Sequence, residues 1–320
     1  MISVSVVIPA YNSESTISKT LEACLNQSYS RNEYEVIVVD DGSTDKTPEI
    51  IKSYPVKYLL QENSGPAKAR NLGWKNAKGE IILFTDSDCV PEKDWINKLV
   101  ALFEYDDIAA VGGTYGNANP EYIVSLCIHH EILYRHSALP EYVKFLGSFN
   151  LGIRKKILEK LNGFDETYTI ACGEDADLTY RISYEGYRMR FSRNNEVGHH
   201  FPIRLMKFLK QQYWRGVWLM KLLKNHRNRL GNDGYSKLRD VVQPPMYLLI
   251  LLLIPLCYFK IVFLIWILLN LVAILIHFPV VAYSIKRSGN KKLLFLFIML
   301  YLRGFYWALG CVRGFIKYIL

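Results

Sequence analysis

The last 80 residues of this 320-residue chain contain no aspartate or glutamate and are dominated by two long apolar runs, 241–259 and 261–283. Each run is close to the ~20 residues that an α-helix needs to cross the hydrocarbon core of a bilayer. Only Lys260 separates the two runs, which predicts a tight helical hairpin. The same 80 residues hold eight Lys or Arg residues, so they supply +8 of the formal net charge of +9. Because these basic residues flank apolar runs, we expect a membrane region and not a nucleic-acid-binding surface.

The charges around the apolar runs predict their direction in the membrane. A basic cluster follows the second run and, by the positive-inside rule, predicts a cytoplasmic loop; it consists of Lys286, Arg287, Lys291 and Lys292. The N-terminal sequence is too short and too uncharged for a signal peptide, and the six scattered cysteines are typical of a reducing compartment. We therefore expect a multi-pass protein of the inner or plasma membrane whose first domain is cytoplasmic. A third apolar segment, about 293–315, either crosses the membrane or lies in its interface.

The first part of the chain alternates short apolar strands with helical segments. Strands are predicted at 4–8, 36–39, 56–60 and 81–84, and helices from Asn12 or Ser13 as N-cap, at about 45–52 and at 67–77. This alternation predicts an α/β fold in which a mostly parallel, Rossmann-like sheet carries helices on both faces. Sheets of this kind bind ligands at the carboxyl ends of their strands.

Acidic residues stand where two of these predicted strands end. Asp86 and Asp88, in F-T-D-S-D, can bracket a hard cation that also contacts diphosphate oxygens. Asp40 and Asp41, in V-V-D-D-G-S-T-D, can accept hydrogen bonds from a base or a ribose. Each motif alone is also compatible with an ordinary acidic turn or a helix cap.

Two further motifs combine a helix start with charged residues. The stretch N-S-G-P-A-K-A-R-N places Lys68 and Arg70 in the first turns of a helix, where they could face phosphate. The stretch G-E-D-A-D-L offers Glu174, Asp175 and Asp177 as bases, since crowding raises the pKa of a carboxyl group. An acidic helix N-terminus that complements the helix dipole explains the same residues without catalysis.

A basic amphipathic helix is predicted at about 204–224, and its Trp and Lys residues suggest the membrane interface. Within it, Arg215 could bind diphosphate and Trp214 could stack on a sugar ring, with Gln212 beside them. His199 or His200 could add a metal ligand. We expect the catalytic domain to cover residues 1–225, a linker 226–240 and the membrane region 241–320.

Six motifs in order resemble the family 2 inverting glycosyltransferases with a GT-A fold. The matching stretches are V-S-V-V-I-P-A-Y-N, V-V-D-D-G-S-T-D, G-P-A-K-A-R-N-L-G, F-T-D-S-D, N-G-F-D-E and G-E-D-A-D-L. The resemblance implies that Asp175 is the general base, with Glu174 beside it, and that Asp88 with Asp86 binds Mg²⁺ or Mn²⁺. With the interpretation of the motifs above, it gives a set of donor-binding residues: Pro9, Ala10, Tyr11, Asn12, Glu14, Asp40, Asp41, Lys68, Arg70, Asp86 and Ser87.

The resemblance also implies a reaction. One sugar would pass with inversion from a nucleotide-sugar, a UDP-sugar first among the candidates, to a lipid-linked saccharide in envelope or capsular polysaccharide assembly. Processive synthases of this family carry Q-x-x-R-W, whereas Gly216 follows Gln212 and Arg215 here, which favours single transfer.

Two other functions are less compatible with the sequence. A nucleotidyltransferase would carry a Gly-rich, basic loop after the first strand, and 9–12 is not such a loop. A non-catalytic membrane scaffold derived from a transferase would be expected to lose its acidic motifs, and this chain retains them.

Overall fold

The computed structural model describes residues 2–227, 235 and 238–320. It divides into two compact units, each with its own packing. The first unit contains the residues up to Ala118 together with Leu139–His200, and the second contains Asn119–Ala138 and Phe201–Leu320.

Within the described residues, the first unit is built on one eight-stranded sheet. Its strands are β1 (Val4–Ala10), β2 (Tyr34–Asp40), β3 (Lys57–Leu60), β4 (Ile81–Phe84), β5 (Cys89–Pro91), β6 (Ile108–Asn117), β7 (Leu151–Arg154) and β8 (Arg188–His199). Their order in the sheet is β3-β2-β1-β4-β7-β6-β8-β5. Strands β3, β2, β1 and β4 are parallel to one another, whereas β7 runs antiparallel to both of its neighbours and β5 runs antiparallel to β8.

Helices, numbered along the whole chain, cover this sheet. Those of the first unit are α1 (Ile17–Leu25), α2 (Thr47–Lys52), α3 (Pro66–Lys75), α4 (Trp95–Val100), α6 (Lys155–Leu161) and α7 (Glu174–Tyr184). Every residue of β1 is buried, as expected for a central strand with helices on both faces of its sheet. The predicted α/β, GT-A-type architecture is confirmed, and so are the four N-terminal strands.

The second unit is helical. Its helices are α5 (Ile123–His136), α8 (Leu205–Asn225), α9 (Leu238–Leu253), α10 (Lys260–Leu275), α11 (Phe278–Ser288) and α12 (Phe295–Tyr318). Among the described residues, three stretches are long and apolar enough to cross a membrane: Arg239–Leu256, Lys260–Ser288 and Lys291–Tyr318. The predicted second span, 261–283, contains a break between α10 and α11, where Pro279 stands in the first turn of α11. A proline is tolerated there because that turn leaves backbone N–H groups unpaired in any helix.

The predicted amphipathic helix exists as α8, and it packs along α12 in the second unit. The predicted catalytic domain, 1–225, includes this segment and α5, which both belong to the second unit. Apolar side chains of α8 such as Phe208, Leu209 and Leu222 are buried, so packing ties the helix to the membrane-region helices. Most of the predicted linker 226–240, namely 228–234, 236 and 237, lies outside the described residues.

A buried ionic cluster joins three helices of the second unit. Glu131 of α5 pairs with Arg135 one turn later, at 3.0 Å, and with Arg303 of α12. Arg135 also makes a bidentate pair with Asp240 of α9, at 2.8 and 3.0 Å. Such an arrangement is stable only while each charge keeps its partner.

Candidate active site

The loops after β1 and β2 are joined by hydrogen bonds that involve Asn12 and Glu14. Asn12 Oδ1 accepts from the backbone N–H of Thr44 at 2.8 Å, and the Asn12 N–H donates to Ser43 Oγ at 3.0 Å. Asn12 has a φ of 46°, a left-handed conformation that asparagine adopts more readily than most residues. Glu14 Oε2 accepts from the Lys46 N–H at 3.1 Å. Both predicted donor residues therefore also fix the shape of this loop pair.

Pro9, Ala10 and Tyr11, which are also predicted to bind the donor, differ in their exposure to solvent. Pro9 and Ala10 are buried in β1, beside Val39 and Asp40 of β2. Tyr11 lies just beyond the strand and is 50% exposed. Of these three side chains, only the Tyr11 ring is available to stack on a flat ligand.

Asp40 and Asp41 are buried and hold neighbouring loops. Asp40 accepts from the Ser43 N–H and from the Tyr58 hydroxyl, both at 2.9 Å. Asp41 accepts from the backbone N–H groups of Ser64 and Gly65, at 2.8 and 2.9 Å. Asp41 thus fixes the turn that leads into α3.

The two aspartates of the predicted metal motif follow β4 and are partly exposed, Asp86 by 28% and Asp88 by 40% of the side chain. The residue between them, Ser87, is fixed from α1 and the turn before it. Its Oγ lies 2.7 Å from Ser13 Oγ, and its carbonyl accepts from Thr20 Oγ1 at 3.0 Å. The loop is therefore positioned by the protein itself.

A candidate cation site forms around Asp88. β5 pairs with β8 so that Cys89 lies opposite His199, and this register brings His199 Nε2 to 3.4 Å from Asp88 Oδ1. One ligand atom each of Asp88, Cys89 and His199 lies within 4.8 Å of the other two. His200 contacts the same loop through its backbone N–H, which donates to the Asp88 carbonyl at 2.9 Å.

The donors at this site are a carboxylate, an imidazole and a buried thiol. Burial raises the pKa of the Cys89 thiol well above its usual range, which disfavours the thiolate in the absence of a metal. The Asp88 carboxylate is the kind of oxygen ligand that Mn²⁺ and Mg²⁺ prefer. Asp88, with His199 beside it, therefore fits the predicted cation.

Arg70 connects this loop to the predicted catalytic pair. It extends from α3, is 2% exposed, and donates from Nη2 to Asp86 at 2.8 Å and from Nη1 to Glu174 at 2.9 Å. Its guanidinium lies over the ring of Phe164, 5.6 Å from the ring centroid. Asp86 and Glu174 are thus held by one guanidinium, although they belong to distant parts of the sequence.

Glu174 and Asp175 begin α7 side by side. Burial, then the neighbouring Asp175 charge, raises the pKa of Glu174 to about 7, against the opposing effect of Arg70. Glu174 Oε2 accepts no hydrogen bond from the described residues. Burial likewise raises the pKa of Asp175, whose carboxylate accepts from the N–H groups of Ala176 at 2.8 Å and Ser148 at 3.3 Å. A carboxylate of raised pKa is a better proton acceptor near neutral pH.

Asp177, the third acidic residue of that motif, has a different environment. It is buried and pairs with Arg181 of the same helix at 2.9 Å. Arg181 in turn donates to the carbonyl groups of Leu161 and Gly163. This geometry supports the structural interpretation of Asp177.

The remaining predicted site residues lie on α3 and α8. Lys68 is exposed, with Nζ 3.5 Å from Ser64 Oγ. In the second unit, Gln212 is buried, Arg215 is exposed, and Trp214 carries the Arg313 guanidinium over its ring at 5.1 Å.

Packing between α8 and α12 in the second unit explains why position 216 is a glycine. A Cβ on Gly216 would meet the carbonyl oxygen of Trp307 and, at 2.8 Å, the backbone nitrogen of Cys311. α12 therefore approaches α8 too closely for the tryptophan of Q-x-x-R-W to stand there.

Sequence reasoning missed two contributors to the site. The Ser148 N–H contacts Asp175 from a short 3₁₀ turn at Ser148–Asn150, and Phe164 supports Arg70. Phe164 belongs to the N-G-F-D-E motif, which was recognised without a role. The sequence gives no signal for Ser148, because its contact with Asp175 is made by the backbone N–H and not by the side chain.

Comparisons with known proteins identify relatives of this chain. The family model described as Glycosyl transferase family 2 matches residues 5–161. Glycosyltransferase AglE of Haloferax volcanii is 30% identical over 237 residues, which cover 68% of this chain and 74% of that protein. The probable glycosyltransferase YdaM of Bacillus subtilis is 31% identical over 232 residues, which cover 67% of this chain and 52% of YdaM.

Among solved structures, the mannosyltransferase PcManGT of Pyrobaculum calidifontis, in complex with GDP-Man and Mn²⁺, superimposes with a TM-score of 0.63. The likeness covers 98% of this chain and 87% of that one at 19% sequence identity. At this identity the likeness establishes the fold alone.

Proposed function

Because the chain belongs to glycosyl transferase family 2, we propose that it transfers one sugar from a nucleotide-sugar to a lipid-linked saccharide with inversion at the anomeric carbon. The chain is a glycosyltransferase that acts on a nucleotide-sugar donor. We propose in addition that the acceptor is lipid-linked, that transfer depends on a divalent metal and that the protein lies in a membrane.

The observation that carries this proposal is the Arg70 bridge between Asp86 and Glu174. It brings the loop at 86–88 next to Glu174 and Asp175, which supports a cation and diphosphate site beside a proton acceptor. Donor activation and acceptor deprotonation need this proximity, because both act on one anomeric carbon in a single displacement.

In the proposed mechanism, Asp175 takes the proton of an acceptor hydroxyl as its oxygen forms a bond to the anomeric carbon. The bond from that carbon to the diphosphate oxygen breaks, and its electron pair leaves with the nucleotide diphosphate. The N–H groups of Ala176 and Ser148 keep the Asp175 carboxylate in place. Asp88, with His199 and Asp86, would hold Mn²⁺ or Mg²⁺, which would neutralise charge on the leaving diphosphate.

Support for donor binding comes from the loops after β1 and β2. Tyr11, Asn12, Glu14, Asp40 and Asp41 surround the strand ends where sheets of this type take nucleotides. Either UDP or GDP is compatible with this set, and PcManGT was crystallised with GDP-Man. We propose a UDP-sugar as the first candidate.

Support for a lipid-linked acceptor comes from the second unit. The part of this unit that the structure describes has three stretches long and apolar enough to span a bilayer, and many exposed apolar side chains. We propose that the protein lies in the inner or plasma membrane with its first unit cytoplasmic. Gln212, Trp214 and Arg215 stay predicted contacts of the acceptor or the diphosphate. Polysaccharide assembly at the envelope is the corresponding process.

The test begins with the thermal stability of the purified full-length protein in detergent, with UDP, GDP, dTDP or CMP and with or without Mn²⁺. A ligand that binds only the folded state raises the melting temperature, so one nucleotide should do so in a metal-dependent way. The matching nucleotide-sugars are then offered with a membrane lipid extract, and the anomeric configuration of the product is read by NMR. Stabilisation without transfer to any lipid fraction would contradict the acceptor assignment, and a retained configuration would contradict inversion.

A further inference from the structure

We propose that Arg70 is a positioning residue that fixes the catalytic carboxylates relative to the donor loop, and that it does not bind the donor itself. The inference rests on the proposed function, since it assigns Arg70 a part in that reaction. It also replaces the expectation from sequence that Arg70 contacts the nucleotide.

Protein groups already surround the Arg70 guanidinium. Both terminal nitrogens of Arg70 are engaged, Nη2 by Asp86 at 2.8 Å and Nη1 by Glu174 at 2.9 Å. The Phe164 ring lies on one face of the guanidinium, with its centroid 5.6 Å from Arg70 Cζ, and the Arg70 side chain is 2% exposed. A phosphate would have to displace a buried carboxylate in order to reach it.

The position of the Arg70 side chain is fixed by its surroundings. Arg70 stands on α3, whose leading turn is fixed by the Asp41 carboxylate, and its neighbour Asn71 accepts from the N–H of Phe164 at 2.9 Å. The side chain therefore projects from a fixed base. A guanidinium presents N–H groups in a rigid fork, so it also fixes the separation of the two carboxylates. Glu174 adjoins Asp175, so this separation determines where the proposed base lies relative to the loop at 86–88.

Arg70 also balances the charge of neighbouring carboxyl groups. Asp86, Glu174 and Asp175 bring three carboxyl groups to one region, and Arg70 contacts two of them. Without a cation, these groups would repel one another, and the first turn of α7 would move away from the β4 loop. Arg70 thus balances charge and sets distance with the same side chain.

The experiment compares Arg70→Lys with Arg181→Lys in the full-length protein. Lysine keeps the charge but has a single ammonium group, which cannot reproduce the fork. Arg181 is a matched control because it belongs to α7 and pairs with an aspartate, Asp177, but its other contacts are carbonyl groups of Leu161 and Gly163. The measurements are kcat, the KM of the donor, and nucleotide affinity from the shift in melting temperature.

We expect Arg70→Lys to lower kcat about tenfold or more, since small displacements of reacting groups cost this much. Nucleotide affinity and donor KM should stay within about threefold, because the nucleotide makes no contact with Arg70. Arg181→Lys should lower the melting temperature and leave kcat within about twofold.

Three outcomes would overturn the inference. A donor KM raised about tenfold with kcat retained would make Arg70 a donor ligand. A lower melting temperature with both constants unchanged would make the bridge structural only, and so would equal losses of kcat in the two lysine variants.

If Arg70→Lys does not fold, Glu174→Gln tests the same bridge from its other end, because it keeps the size of the side chain and removes the charge that pairs with Arg70. It should lower kcat without weakening nucleotide binding, and unchanged kcat would overturn the inference. Failure of the proposed function is separate, since it would show as a wild-type enzyme without transfer, or as an active Asp175→Asn variant.

Discussion

His199 Nε2 lies 3.4 Å from Asp88 Oδ1 because β5 pairs antiparallel to β8 with Cys89 opposite His199. This strand pairing therefore brings the imidazole of His199 beside Asp88, the last residue of the F-T-D-S-D motif. Of the two adjacent histidines, the register presents the side chain of His199 and the backbone of His200 to this loop.

This relationship predicts different effects of substituting the two histidines. His199→Ala should raise the Mn²⁺ concentration for half-maximal transfer about tenfold or more, as loss of a metal-site contact does. His200→Ala should change it less, because its contact with Asp88 is made by the backbone. EDTA should stop transfer, and Mn²⁺ should restore it. The assignment fails if the His200 variant has the larger metal requirement.

Substituting Asp175 should separate chemistry from stability. Asp175→Asn removes the proposed proton acceptor and should lower kcat about 10²- to 10⁴-fold, with nucleotide-induced stabilisation retained. Asp177→Asn, two residues along the same helix, is the control. It weakens a buried pair with Arg181, so it should lower the melting temperature and leave kcat near the wild-type value. Comparable turnover in the two variants would remove Asp175 from its assigned role.

The buried Glu174 should make stability depend on pH. Burial raises the pKa of Glu174 to about 7, whereas the pKa of glutamate in an unfolded chain is about 4.3. Between these values the folded state binds more protons than the unfolded state, so the free energy of unfolding falls as pH rises through this window. Glu174→Gln cannot ionise, so its melting temperature relative to wild type should increase between pH 5 and pH 7. Parallel melting curves across this range would contradict a buried, proton-binding Glu174.

Local sequence patterns predicted the first half of the sheet well, because β1, β2, β3 and β4 are short apolar runs bounded by turn residues. The acidic residues after β2 and β4 were placed correctly for the same reason. The predicted N-cap of the first helix was wrong: α1 starts at Ile17 after Thr16. Asn12 takes a left-handed conformation, and Ser13 closes a turn by accepting from the N–H groups of Thr16 and Ile17.

Contacts between distant segments could not be predicted from these patterns. Nothing local in the sequence indicates that Cys89 pairs with His199, or that Arg70 links Asp86 to Glu174. The assignment of α5 and α8 to the helical unit likewise depends on which apolar faces meet after folding. The tight glycine contacts of α8 with α12 illustrate this, because a glycine in a sequence does not name the backbone that approaches it.

That helix contact gives a prediction about stability. A Cβ on Gly310 would collide with the Tyr213 carbonyl oxygen and lie 3.2 Å from Gly216 Cα. Gly310→Val should therefore force α8 and α12 apart and destabilise the second unit by about 1–3 kcal/mol or more. Leu309→Ala, at the adjacent and exposed position, should have a small effect. Melting of both variants in the same detergent checks the difference, and equal melting temperatures would contradict close packing at Gly310.

The ionic cluster of the second unit should be sensitive to the loss of one carboxylate. Burial opposes ionisation of Glu131, but Arg303, then Arg135 and Arg239, hold its pKa well below the usual range, so it is charged at neutral pH. Glu131→Gln would leave Arg303 in a buried site without this partner, and breaking a buried pair from one side typically costs about 3–5 kcal/mol. Glu92→Gln is the control, because Glu92 pairs with Lys98 at an exposed position where ion pairs contribute little. Melting temperatures in detergent should fall sharply for Glu131→Gln and hardly for Glu92→Gln. A small effect of both would mean that water or lipid compensates the arginines, and that the cluster does not hold α5 to α12.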